Sequence, residues 1–211
     1  MIDRIKLSIM TAIEVARGWF ENFERFKEIT ELDKIARRYF VINAFDGSMT
    51  MLGIVSGIFI SDITDYRVII GSGLGACIAM GVSGAFGAYM AEKAERTKDL
   101  RELENAMLTN LENSIISEAS QFAAIFIAVI DGISPVIAAL ISLAPFFLAR
   151  YWILTFTLAV KASITVTLLT LFILGAFLGK VSGDAVLKNG IVMMTAGLAT
   201  ALLTIFISTM F

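Results

Sequence analysis

Five long apolar runs fill this chain from residue 39 onward, and three of them carry one charge each. Residues 39–61 hold only Asp46, residues 119–149 only Asp131, and residues 151–179 only Lys161. The runs 68–91 and 189–211 are essentially uncharged. A helix needs about 20 apolar residues to cross a hydrocarbon layer about 30 Å thick, so all five qualify as spans. With 57% hydrophobic residues and a mean hydropathy of +0.82, the chain belongs to the all-α membrane class. A charge at bilayer depth costs at least about 2.5 kcal/mol, so Asp46, Asp131 and Lys161 need explaining.

Topology follows from where the cations lie. Eight of the 17 Lys and Arg fall in residues 1–38, four in 92–118, and two more are Lys180 and Lys188. The positive-inside rule places the N-terminus, the 92–118 segment and the 180–188 loop in the cytoplasm. Five spans then leave the C-terminus outside, and the location is a cell membrane if the source is prokaryotic. The organisation reads as an interfacial amphipathic helical segment over 1–38, spans 1 and 2 over 39–91, a cytoplasmic acidic helical segment over 92–118, and spans 3 to 5 over 119–211. In the first segment Ile2, Ile5, Ile9, Ile13 and Ala16 recur at helical steps, and Trp19, Phe20, Phe23 and Phe26 extend that side.

The lone Cys77 lies inside a span, so no intrachain disulfide framework is possible. The absence of histidine removes the commonest metal ligand and the usual neutral-pH proton carrier. Any metal must then be met by carboxylates, thioethers, carbonyls or the single thiol. No resident cofactor, enzyme activity or nucleic-acid partner is expected.

Along the first span, Asn43, Asp46, Thr50, Gly53 and Gly57 follow helical spacing, with Met49 three residues after Asp46. A membrane carboxylate of this kind binds a cation when ionised and carries a proton when not. The second span is rich in glycine, which lets helix backbones approach closely in lipid, against another span or a second subunit. Cys77, Met80 and Gly84 share one of its faces. Pro135 and Pro145 interrupt the third run and predict a kinked or broken helix. Asp131 and Lys161 both approach the midplane when counted from the edges of their runs, which predicts a buried ion pair.

Beyond the second span, Glu92, Glu95, Asp99 and Glu102 fall on one helix face within about 80°. Such a row is a plausible collecting surface for a divalent cation, and a thioether such as Met107 would favour softer transition metals. Met107 lies off the row and joins only if the helix bends. The competing reading is a solvated face with Glu–Lys support pairs.

NAFDGSMTMLGIVSG and GLGACIAMGVSGAFGAYMAEKAERTKDLRELE resemble the first two spans of the vacuolar iron transporter family. IDGISP and LAPFF resemble its proline-bearing third span. The match covers roughly residues 40–211. The resemblance implies a five-span homodimer that exchanges Fe²⁺ or a similar ion such as Mn²⁺ for protons, with a path near the first two spans. It implies that Asp46 is the membrane-embedded aspartate of the path; by helical spacing Asn43, Met49 and Thr50 are the path candidates beside it, and Met80, one turn from Gly84, is the candidate thioether. It also implies a cytoplasmic carboxylate–methionine site, which Glu92, Glu95, Glu102 and Met107 match in kind. The family's second-span glutamate and methionine fall at Ala76 and Gly84 here. The alternative is therefore a non-transporting membrane protein that binds metal or serves a structural role on the same fold. An intramembrane aspartyl protease using Asp46 and Asp131 is disfavoured, because neither lies in a Gly-x-Gly-Asp context.

Overall fold

A computed structural model describes residues 23–151, 153–208 and 210. The expected amphipathic pattern over residues 2–20 lies outside the described residues. Five helices are long and apolar enough to cross a membrane: α1 Leu32–Ile60, α2 Tyr66–Met107, α3 Ile115–Arg150, α4 Phe156–Ser182 and α5 Val186–Ser208. No strand occurs among the described residues. Large apolar side chains are exposed on every helix, among them Ile42, Ile78, Ile125, Leu169 and Leu202. A water-soluble monomer does not present apolar surface on this scale, whereas lipid accepts it. The chain is an integral membrane protein.

Helix ends follow local chemistry. Asp65 caps α2 by accepting from the Arg67 amide at 2.8 Å, and Ser114 Oγ caps α3 by accepting from the Ser117 amide at 3.3 Å. Gly183 closes α4 with φ 74°, a left-handed position that costs glycine little. A short helical stretch over 23–30 precedes α1, separated from it by Glu31 at φ 49°. Phe23 and Phe26 stand 5.9 and 5.4 Å from the ring of Phe122, so this stretch docks on the start of α3.

The acidic segment is not a separate element. Its first 16 residues continue α2, which runs unbroken for 42 residues, about 63 Å at 1.5 Å each. Likewise α1 begins at Leu32, seven residues before the apolar run.

The most buried helix is α3, which packs on α1, α2 and α4, while α5 is the least buried and rests mainly on α4. The seams depend on missing side chains. A Cβ on Gly47 would strike the backbone of Pro135, and one on Gly132 would come within 2.7 Å of the Gly81 carbonyl oxygen. Backbone-to-backbone packing of this kind replaces the hydrophobic drive that lipid cannot supply. The α2 glycines divide by face: Gly73, Gly81 and Gly84 meet neighbours within the chain, and Gly71, Gly75 and Gly87 face open space.

Of the kinked or broken helix expected at Pro135 and Pro145, the break does not occur: both lie inside one continuous helix. Hydroxyl groups crowd these turns. Ser134 donates to the Ile130 carbonyl, and Ser163 of α4 donates to the Ser142 carbonyl at 2.6 Å. Thr167 donates to Ser142 Oγ at 2.9 Å. Side-chain hydroxyls and neighbouring helices commonly make prolines tolerable within a span.

Candidate functional site

Asp131 and Asp46 enter the same region of the bundle from different helices and meet different surroundings. Asp131, on α3, is buried at 6% exposure. The Asn43 side-chain amide of α1 donates to its Oδ1, and the same nitrogen donates to the Tyr39 carbonyl at 2.9 Å. Gly84 of α2 lies over the other oxygen: a Cβ there would sit 2.9 Å from Asp131 Oδ2. Pro135 has no N–H to give the Asp131 carbonyl, so this oxygen too lacks its usual helix donor. Three helices thus converge on one carboxylate, with glycine making the room.

Asp46 lies one turn beyond Asn43 and is exposed on the outward side of α1, as is Thr50. Asn43, which holds Asp131, is its neighbour one turn back on α1. Met49 turns toward α5, where its sulfur lies 3.9 Å from Thr200 Oγ1. Met80 packs against the apolar cluster built on Met51, Cys77, Leu143 and Phe146. Among the expected path residues, then, Asn43 joins Asp131 and Asp46 stays close, while the two methionines are engaged elsewhere.

The predicted Asp131–Lys161 ion pair does not form. Lys161 is exposed on α4 and makes no ion pair among the described residues. The reason is the edge of the span: α4 starts at Phe156, not at 151, so Lys161 sits one and a half turns from a helix end. From there a long side chain can reach the interface and keep its ammonium hydrated.

On the extension of α2, the acidic row exists but its members have separate engagements. Glu92 is the most enclosed, and Arg96 grips it through Nη2 at 3.1 Å and Nε at 3.2 Å. Glu95 and Asp99 line a cavity of about 420 Å³ whose far wall comprises Glu31, Ile35 and Arg38. Glu102 lies 3.8 Å from Lys98, and Met107 is exposed at the end of the helix. Among the described residues no group of three carboxylate or thiol side chains is poised to hold a metal ion. The Arg96 clamp was legible as an i, i+4 partner of Glu92. The far wall from residues 31–38 was not, because it depends on how α1 leans on α2.

The VIT family model matches residues 37–126 and 97–209. The uncharacterized protein MJ0645 of Methanocaldococcus jannaschii is 37% identical over 177 residues, 82% of this chain and 89% of that relative. This five-helix membrane protein, with Asp131 set into a seam between its helices, belongs to the VIT family. The class is one of membrane metal-ion transport rather than enzymatic catalysis.

Proposed function

We propose that the protein carries Fe²⁺ or Mn²⁺ out of the cytosol in exchange for protons, working as a homodimer. The observation that carries this reading is the outward exposure of Asp46, the single charge in residues 39–60 of α1. A lone carboxylate facing lipid is costly, and a second copy laid against α1 and the open glycines of α2 removes that cost by enclosing it. Two copies bring two Asp46 side chains to one axis, where a divalent cation balances both charges and protons replace it when it leaves. Thr50, one turn further along the same face, adds an oxygen ligand. The hard-to-borderline character of carboxylate oxygens suits Fe²⁺ and Mn²⁺.

On this reading Glu95, Asp99 and Glu102 concentrate cations at the mouth of the path, with Glu92 held back by Arg96 and Met107 contributing only from a second segment or copy. The positive-inside pattern sets the extension of α2 and the N-terminus in the cytoplasm and the C-terminus outside. Purified protein in liposomes carrying a pH gradient should move Fe²⁺ or Mn²⁺ and counter-move protons. Asp46→Asn should reduce flux to that of protein-free vesicles; undiminished flux would remove Asp46 from the path.

A second reading is supported by the lack of an assembled three-ligand group among the described residues. It is a membrane protein that binds metal on the α2 extension without moving it. Calorimetric metal binding lost in Glu95→Ala and Glu102→Ala, together with no flux in liposomes, would favour it.

A further inference from the structure

Two cavities flank the extension of α2, and they have opposite character. The one described above is lined by Glu92, Glu95 and Asp99. The other, about 320 Å³, opens between α2 and the start of α3 and is lined by no carboxylate. Its polar wall includes Lys93 and Arg96 of α2 and Ser117 and Gln121 of α3.

Three features of this second cavity point to an anion. Lys93 makes no ion pair among the described residues; its ammonium lies 5.6 Å from the Tyr89 ring centre. Arg96 commits Nε and Nη2 to Glu92 but has five N–H donors in all, leaving others for a second acceptor. Ser117 is 5% exposed, and its hydroxyl makes no hydrogen bond among the described residues. Set on the cavity wall beside two cations, this hydroxyl has a proton to donate to a bound acceptor.

The cavity also straddles the line where charge stops. Along α2 the last uncharged residue of the span is Ala91, and along α3 no charge follows Glu118 until Asp131. Ala124 and Ile125 form its lower wall. Below them Val129 continues the exposed apolar surface of α3, and Phe86 and Met90 that of α2. A ligand seated here meets cations and a hydroxyl at one end and lipid-facing surface at the other.

We propose that this cavity holds the phosphodiester headgroup of an acidic phospholipid. Lys93 and Arg96 face the phosphate, Ser117 donates to it, and the acyl chains follow Ile125 and Val129 into the bilayer. A free phosphate would use the cations but not the apolar wall. The inference does not rest on the transport reading: Asp46 takes no part in it, and of the acidic row only Glu92 touches the site, through Arg96.

Native mass spectrometry of the full chain in detergent, with added phosphatidylglycerol, phosphatidylcholine or inorganic phosphate, tests it. The wild type should retain phosphatidylglycerol in preference to phosphatidylcholine. Lys93→Gln should lower that retention roughly fivefold, the ratio corresponding to about 1 kcal/mol per cation near an anionic surface. Ser117→Ala should also lower it. Lys98→Gln makes the same charge change outside this cavity and should leave retention as in the wild type; its side chain lines a different surface hollow. An equal effect of Lys93→Gln and Lys98→Gln would overturn the site, as would equal retention of the two lipids. Displacement of the lipid by millimolar inorganic phosphate would assign the cavity to a free anion and overturn the lipid. If Lys93→Gln does not yield monodisperse protein, Ser117→Ala decides alone: retention equal to wild type rejects the proposal.

Discussion

Asp46 and Asp131 are the same side chain in the same part of the bundle, yet the fold treats them in opposite ways. Asp131 sits in a seam where three helices meet, gripped by Asn43 and sheltered under Gly84. Asp46 stands on the outward face of α1 with Thr50 as its exposed neighbour. A carboxylate whose partner is built into the chain stabilises the bundle. One whose partner must come from elsewhere is available for exchange. The rotation of each helix about its own axis separates the two settings.

The largest expected effect follows from that contrast. Asp46→Asn should lose all metal flux while its thermal unfolding in detergent stays near that of the wild type. Asp131→Ala should lower stability by about 1–3 kcal/mol, because a buried hydrogen bond goes and the Asn43 amide loses its acceptor. A fluorescence-monitored melt of both variants checks this; a stable Asp131→Ala beside an unstable Asp46→Asn would invert the assignment.

Next come two glycines of α1. Gly47→Ala presses a methyl group into the Pro135 backbone, which has no flexible end to yield, and should cost about 1–3 kcal/mol. Gly53→Ala meets nothing within 4 Å. It should stay within about 1 kcal/mol of the wild type, the span of the Gly-to-Ala helix preference. Equal melting temperatures for the two would mean the α1–α3 seam is looser than its backbone contact implies.

The smallest effect belongs to Lys161. With no ion pair among the described residues to abandon, Lys161→Gln should change stability by less than about 0.5 kcal/mol. A larger loss would restore a structural role for this ammonium and weaken the view of Asp131 as satisfied by Asn43.

The spans themselves were legible in the sequence, because hydropathy summed over 20 residues tolerates errors of several positions at either end. The same tolerance misplaced Lys161: an apolar run from 151 and a helix from Phe156 differ by more than a turn, enough to move a charge from the interior to near an interface. The link between Asn43 and Asp131 was not legible. These residues are 88 apart in the chain, and their meeting depends on how α1 and α3 are rotated, which Gly47 and Pro135 decide by contact. The acidic row was read correctly as a row. That it belongs to an unbroken α2, and that Glu92 is its most enclosed member, required the fold.

The length of α2 has a mechanical consequence. From Gly84, where the helix crosses α3, to Met107 is 23 residues, about 35 Å of continuous rod. Tilting such a rod by about 10° at the crossing carries its far end some 6 Å sideways, by simple leverage on that length. Any tilt of α2 about this crossing would therefore be felt many times larger at the acidic end than beside Asp131.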